Sequence, residues 1–356
     1  MDINSLLSRM GEIRASDLFL KAPLPPTYKI SRQATPLDSH PPVTVEQLEA
    51  VAEQLLRPRD QQIFRDRNQV DFGYAIPGIG RYRGNAYRQK GSPAYVFRLI
   101  NESVPTAQDL NLPQVLLDLA MEARGLVLVT GATGSGKSTT LAAMVDWRNQ
   151  NSRGHIVTIE DPIEFVHVDK SCIVSQREVG TDVDTFHDAL KAALRQAPDV
   201  LLMGEIRDGE AGETALHLAE TGHLVMGTLH STNANQTIDR VLQMFPAERH
   251  HEVLALLALN LRGIVSQRLI RTVDGRLAMA VEIMVGTPRV RDLLKRGEVG
   301  ELKMAIQQGD RDGMQTFDQA IYRLYQEGRI DQESALLASD SPNDMRLRMR
   351  GLVQAA

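Results

Sequence analysis

Nine consecutive residues, Gly131-Ala132-Thr133-Gly134-Ser135-Gly136-Lys137-Ser138-Thr139, fill every fixed position of the phosphate-loop pattern G-x-x-x-x-G-K-[ST]. The glycines let the backbone approach an anion closely. Loop amides and the start of the following helix then face a triphosphate. Lys137 is placed to reach the β- and γ-phosphates, and the Ser138 hydroxyl to hold Mg²⁺. An apolar β-branched run, Leu126–Thr130, precedes the loop, and helix formers from Thr140 to Trp147 follow it, so the motif lies between a strand end and a helix start.

Binding a triphosphate is not hydrolysing it. Hydrolysis needs an acid on the metal side, a group to orient water, and positive charge for the transition state. The segment Thr158-Ile159-Glu160-Asp161-Pro162-Ile163-Glu164 ends a second apolar strand in acids, with Pro162 stopping the strand. It reads as a metal-side cluster containing Glu160 and Glu164, or as a solvated acidic turn. A third strand, Val200-Leu201-Leu202-Met203-Gly204-Glu205, turns abruptly acidic in the Walker B manner. Glu205 either orients and deprotonates the attacking water or acts on Mg²⁺ through water, and Arg207 and Asp208 follow it directly. His223 and His230 flank a fourth strand and, with Thr228 and Ser231-Thr232-Asn233, suggest a nucleotide sensor. Each histidine alone also reads as a structural one, and no second close ligand completes a zinc set. Arg195 stands just before the acidic third strand, and Arg81, Arg83 and Arg98 lie on strands of the first hundred residues. Arginine forks grip phosphate oxygens at any pH. These four are candidate transition-state or nucleotide contacts, supplied within the chain or to a neighbouring subunit, against the alternative of surface ion pairs.

The elements that must position these residues fall into two patterns. Residues 1–100 alternate in the α+β manner, with helices over Leu6–Arg14 and Val45–Leu56 and strands over Asp17–Lys21, Asp71–Ala75, Arg81–Gln89 and Ala94–Ile100. Pro23, Pro25 and Pro26 mark a turn, and the polar, proline-containing stretch 101–113 reads as a hinge. From Gln114 to 287, short buried strands alternate with helices. The strands are Leu126–Thr130, His155–Glu160, Val200–Gly204, Leu224–Leu229 and one near Ala278–Val285, and the helices include Thr185–Arg195, Gly209–Glu220 and Gln236–Met244. This order predicts a parallel sheet with crossover helices and ligands at the strands' carboxyl ends. Residues 288–356 read as short amphipathic helices packed as a bundle: Arg289–Arg296, Val299–Gln308, Thr316–Glu327 and Gln332–Ala338.

Composition narrows the function classes. The 356 residues, 42% hydrophobic, suffice for two or three domains. A net charge of −5 and 4% aromatic residues argue against nucleic acid as the main partner. No apolar run approaches a bilayer span, and Met1–Gly11 lacks the core of a signal peptide, so a cytosolic protein is expected, beside a membrane only through partners. With Cys172 the single cysteine, neither an intrachain disulfide nor a four-cysteine zinc site can form.

The clusters GATGSGKST (131–139), TIEDPIEF (158–165), LLMGEIRD (201–208) and ETGHLVMGTLHSTNANQTIDR (220–240), in this order, resemble the Walker A, Asp box, Walker B and His box of the secretion ATPases of type IV pili and type II secretion. The resemblance covers essentially the whole chain. It implies a PAS-like amino-terminal domain, a RecA-like ATPase core, ATP and Mg²⁺ as ligands, and a hexameric ring. By matching motif it gives Glu205 as the catalytic glutamate, Glu164 as the Asp-box acid with Glu160 nearby, and His223 and His230 as the His-box histidines. With one cysteine and no long amino-terminal extension, the chain is similar to the retraction branch, the PilT/PilU family. The stretches 287–306, 313–328 and 335–350 look closer to its PilU members. PilT proteins usually show Ala-Ile-Arg-Asn-Leu-Ile-Arg-Glu where this chain has Arg289-Val290-Arg291-Asp292-Leu293-Leu294-Lys295-Arg296. The implied role is an accessory retraction motor in twitching motility, partnered by a PilT-type motor and an inner-membrane platform protein at the inner face of the inner membrane. The same loop and acidic strand also serve RecA-like nucleic-acid translocases, and a nucleotide-binding regulator with little turnover uses the loop alone.

Overall fold

The computed structural model describes residues 1–31, 33–100 and 103–352. Asn101 and Glu102 of the expected hinge and residues 353–356 of the tail lie outside the described residues. The chain separates into two compact units: one of 1–103, 161–167 and 177–185, the other of 104–160, 168–176 and 186–356.

In the first unit, helix α1 (Ile3–Glu12) starts where the Asp2 carboxylate accepts from the Ser5 amide, and its buried face repeats as Ile3, Leu6, Leu7 and Met10. Strands β1 (Asp17–Lys21), β2 (Thr27–Ile30) and β3 (Gln33–Pro36) follow, then helix α2 (Val45–Leu55) with a Thr44–Gln47 capping box, helix α3 (Pro58–Arg67), and strands β4 (Gln69–Ile76), β5 (Gly80–Gln89) and β6 (Ser92–Ile100). The antiparallel sheet runs β3-β2-β1-β6-β5-β4. The tyrosines put their rings in the core and their hydroxyls on helix carbonyls: Tyr28 on Leu6, Tyr82 on Leu7 and Tyr95 on Leu48, at 2.9, 3.0 and 2.8 Å. Along β5, Tyr82, Gly84 and Ala86 point inward, so Arg81 and Arg83 face out. The β2–β3 hairpin and α3 have no counterpart in the sequence expectation. The hairpin strands are four residues each, β3 exposed throughout and β2 half-buried, and α3 is too polar to show a stripe.

In the second unit, helix α4 (Gln114–Ala120), strand β7 (Gly125–Thr130), helix α5 (Lys137–Asn151), strands β8 (His155–Glu160) and β9 (Ile173–Glu178), helix α6 (Phe186–Ala193), strand β10 (Val200–Met203), helix α7 (Gly209–Glu220), strand β11 (Leu224–Leu229), helices α8 (Ala234–Leu242) and α9 (His250–Asn260), and strands β12 (Leu261–Arg271) and β13 (Leu277–Val285) build a sheet ordered β13-β12-β7-β11-β10-β8-β9. The pairs β12–β7, β7–β11, β11–β10 and β10–β8 are parallel, and β13 is antiparallel to β12. β7, β10 and β11 are buried along their whole length, as strands covered on both faces must be. The second unit is the expected RecA-like α/β core and the first the expected PAS-like α+β unit.

Helices α10 (Pro288–Arg296), α11 (Leu302–Gln307), α12 (Phe317–Gln326), α13 (Gln332–Ala338) and α14 (Pro342–Met349) complete the chain, the expected helical region. Phe317, Ile321, Leu324, Ile330, Ala335 and Met345 bury against Ile270, Ala278 and Ala280 of β12 and β13. The carboxyl-terminal helices are therefore built onto the sheet edge two strands from the phosphate loop. No helix among the described residues is long and apolar enough to cross a membrane.

Candidate functional site

Parallel register fixes the site. Thr130 pairs with Leu229, and Met203 with Gly227 and Ile159, so the segments after β7, β8, β10 and β11 emerge along one edge. The phosphate loop, Glu160, Glu205, Arg207 and His230 thereby share the carboxyl edge of the sheet.

The loop is packed directly on β12. A Cβ at Gly131 (φ +149°) would lie 2.6 Å from the Gln267 carbonyl oxygen, and one at Gly136 (φ +90°) 2.7 Å from Gln267 Nε2. Gln267 Oε1 in turn accepts from Thr140 Oγ1 at 2.8 Å. Lys137 Nζ donates to the carbonyls of Gly131 and Ala132 at 2.8 and 3.0 Å, which holds the ammonium on the loop. The Ser135 hydroxyl is buried without a hydrogen-bond partner. Ala132, Thr133 and Gly134 are exposed, and Ser138 and Thr139 half-buried at the start of α5. A cavity of about 580 Å³ is lined by Gly131–Ser135 together with Thr232, Arg268, Leu337 and Asp340. A second, of about 790 Å³, shares Gln267 and Leu269 with it and reaches Gly136, Thr139, Thr140 and Arg276. A glycine cradle, an ammonium, an orphaned hydroxyl and a helix start fit a nucleoside polyphosphate with its Mg²⁺.

Glu205 sits between an arginine and a histidine. Arg207 Nε donates to its Oε2 at 2.6 Å, and His230 Nε2 lies 3.2 Å from its Oε1. The carboxylate is a quarter exposed. Ile206 N donates to the Thr228 carbonyl at 2.9 Å, which ties the end of β10 to β11 and brings Glu205 and His230 together. Glu160 Oε1 accepts from Thr158 Oγ1 and Gln176 Nε2 at 2.7 and 3.1 Å.

Glu164 is exposed and belongs to the first unit. Arg81 pairs there with Glu178 at 3.5 Å, Arg83 with Asp71 at 3.8 Å, and Arg98 with the buried Asp17 at 2.9 Å. Two expected residues lie at the opposite edge of the sheet from the phosphate loop. His223 precedes β11, at the amino end of the strand whose carboxyl end carries His230; at about 3.3 Å per residue the two ends are about 17 Å apart. Its ring meets the Leu218 carbonyl and the Thr221 hydroxyl, so it does not reach the phosphate loop of its own chain. Arg195 is exposed in the turn before β10, at the same remote edge, and is not brought to Glu205 within the chain.

Residues not singled out from the sequence complete the picture. Glu178, 4% exposed, accepts from the Ile163 amide and Thr181 Oγ1 and holds Arg81, joining 161–167 and 177–185 inside the first unit. Glu282, 2% exposed on β13, accepts from the Ala234 amide at 2.8 Å, and burial pushes its pKa up to about 7. Nearby, Asp340 is held by Arg268 at 2.7 Å and Lys303 at 3.2 Å, while Arg268 lies 3.8 Å over the Phe317 ring. Burial alone would raise the Asp340 carboxyl, and these cations outweigh it and lower it. Asp318, which accepts from the amides of Asp340 and Ser341, is raised by burial. The signal for Glu282 was a lone acid inside the apolar run Leu277–Val285, which is costly unless paired.

The strand order, the loop between β7 and α5, and the acid after β10 define a phosphate-loop nucleotide-hydrolase core of the RecA-like class. Residues 100–328 match the family model described as type II/IV secretion system protein, and the chain belongs to that family. It is 45% identical over 351 residues to the type IV pilus ATPase PilU of Pseudomonas aeruginosa, covering 98% of this chain and 92% of that protein. It is 44% identical to the type IV pilus retraction ATPase PilT of the same organism, over 94% of this chain and 97% of that one. Among solved structures, that of the pilus retraction motor PilT with bound ADP superposes with a TM-score of 0.90 at 40% identity, covering 97% of this chain and 98% of that one.

Proposed function

We propose that this chain is a motor ATPase that couples ATP hydrolysis to type IV pilus retraction, as an accessory to a PilT-type motor. The observation that carries the reading is the pairing of a complete phosphate loop and Glu205 with near full-length similarity to PilU. In this reading the loop amides and Lys137 bind the ATP phosphates, and Ser138 would hold Mg²⁺, which would supply charge neutralisation on the phosphate oxygens. Glu205 takes the proton of the attacking water, and His230 and Arg207 hold its carboxylate in place. The exposed Arg83 and Arg98 face out of the first unit and suit a neighbouring subunit's nucleotide in a hexameric ring. The ring works at the inner face of the inner membrane on a platform protein, and nucleic acid has no part in it.

Two experiments test this. Purified protein should hydrolyse ATP in a Mg²⁺-dependent manner, with Glu205→Gln slowing turnover about 10²–10⁴-fold while nucleotide still binds. Parental turnover in Glu205→Gln removes Glu205 from the role of base. A strain lacking the gene should move poorly while keeping or gaining surface pili. Normal movement and normal pili in that strain, also when the PilT-type motor is weakened, would sink the pilus assignment.

A further inference from the structure

Thr130, Ser266 and Glu282 occupy one row across β7, β12 and β13, since Thr130 is paired with Ser266 and Ser266 with Glu282. All three are buried, at 0%, 0% and 2% exposure, and Glu282 is the acid among them. Thr130 is the residue before the phosphate loop, and its hydroxyl donates to Ser266 Oγ at 3.0 Å. The first turn of α8 meets this row twice. Thr237 Oγ1 lies 3.5 Å from Thr130 Oγ1 and 2.7 Å from Ser231 Oγ, and the Ala234 amide donates to Glu282 Oε1 at 2.8 Å. Between these anchors and β11 run only His230 to Asn233, the segment that carries the imidazole resting on Glu205.

α8 does not need Glu282 as a cap. Asn233 already accepts from the Gln236 amide, the ordinary side-chain cap. A buried acid on the next-but-one strand from the phosphate loop is costly for a sheet that could hold an apolar residue there. Its geometry fixes where the 230–233 segment ends.

We propose that Glu282 is a positioning residue for ATP hydrolysis: by accepting from the Ala234 amide it holds the His230–Asn233 segment against the phosphate-loop strand and so keeps His230 on Glu205. The proposal rests on the ATPase reading above. Glu282 touches neither nucleotide nor the attacking water, and it acts through His230.

The test compares the parent with Glu282→Leu, which removes the acceptor, and Glu282→Gln, which keeps a carbonyl oxygen there. Steady-state ATP turnover, binding of fluorescent ADP and hydrogen exchange over 230–237 are measured on full-length protein, with circular dichroism as the folding check. Glu282→Leu should bind ADP within about twofold of the parent but lose about 10- to 100-fold in kcat, the scale of a misplaced catalytic group. Exchange at 230–237 should quicken. Glu282→Gln should restore both. Should Glu282→Leu not fold, Glu282→Asp, which withdraws the acceptor by one methylene, should show the same loss of kcat with KM unchanged. Parental kcat in a folded Leu or Asp variant, or no rescue by Gln, overturns the proposal. A parent that hydrolyses nothing defeats the ATPase reading instead, while the exchange data still decide whether Glu282 anchors the segment.

Discussion

Replacing Glu282 by glutamine removes a group that titrates in the folded protein far from where it titrates in the unfolded chain. Burial lifts the carboxyl from 4.5 to about 7. Arg268 and Lys303 pull it down, Asp340 pushes it up, and the Ala234 amide favours the charged form, but desolvation prevails. A raised acid pKa means that the folded state binds more protons than the unfolded one between these values, so stability falls as pH rises through the window. Linkage across these two values gives a loss of about 2.5 kcal/mol from this group between pH 5 and pH 8, most of it by pH 7. At about 2–4 °C per kcal/mol for a unit of this size, the parent should lose about 5–10 °C in melting temperature that Glu282→Gln does not. The assay is thermal melting of both proteins in matched buffers from pH 5 to pH 8, scored as the difference of differences so that other titrating groups cancel. Parallel melting curves for the two proteins over the whole range would refute the reasoning, because they would mean that the carboxyl titrates alike in folded and unfolded chains.

Three further outcomes are expected. Lys137→Ala deletes the ammonium held on the Gly131 and Ala132 carbonyls and should abolish ATP turnover in a protein that melts normally; measurable hydrolysis above background counts against the loop assignment. Asp340→Asn leaves Arg268 and Lys303 without their shared carboxylate in a mostly buried setting and should cost about 2–3 kcal/mol in urea unfolding, discounted from a fully buried pair for its partial exposure. Gly84→Ala would place a Cβ 2.3 Å from the Phe72 ring and should destabilise the first unit by about 1–3 kcal/mol, seen as earlier loss of the near-ultraviolet tyrosine signal on heating; an unchanged melt would mean that the ring has room to move.

Much of this fold is legible in the chain because its strands announce themselves. β1, β8 and β11 and helices α7 and α13 run over the residues expected, where apolar runs are bounded by acids, glycines or prolines. β12 was hidden for the opposite reason. α9 ends at Asn260 and the strand begins at Leu261 with no residue between them, and tertiary pairing with β7 decides the conformation. The site divides in the same way. The phosphate loop and Glu205 are local patterns read from spacing alone. The arginines are not, since charge on a strand says nothing of which carboxylate it will meet, and Asp17 and Glu178 became the partners of Arg98 and Arg81. His223 and Arg195 stand at the amino ends of β11 and β10, and only the parallel register shows that these ends lie across the sheet from the edge where the loop emerges.

The division into units has a consequence for how such a protein can be cut or recombined. The chain passes from one unit to the other at 103/104, 160/161, 167/168, 176/177 and 185/186. A gene fragment starting at Val104 would carry off 161–167 and 177–185 and leave Arg81 behind without Glu178. No single crossover in the gene can exchange one unit for a relative's while keeping both intact. A chimaera joined at 103/104 would carry a first unit of mixed parentage and a second from one parent, and one joined at 185/186 would keep the first unit whole and mix the second.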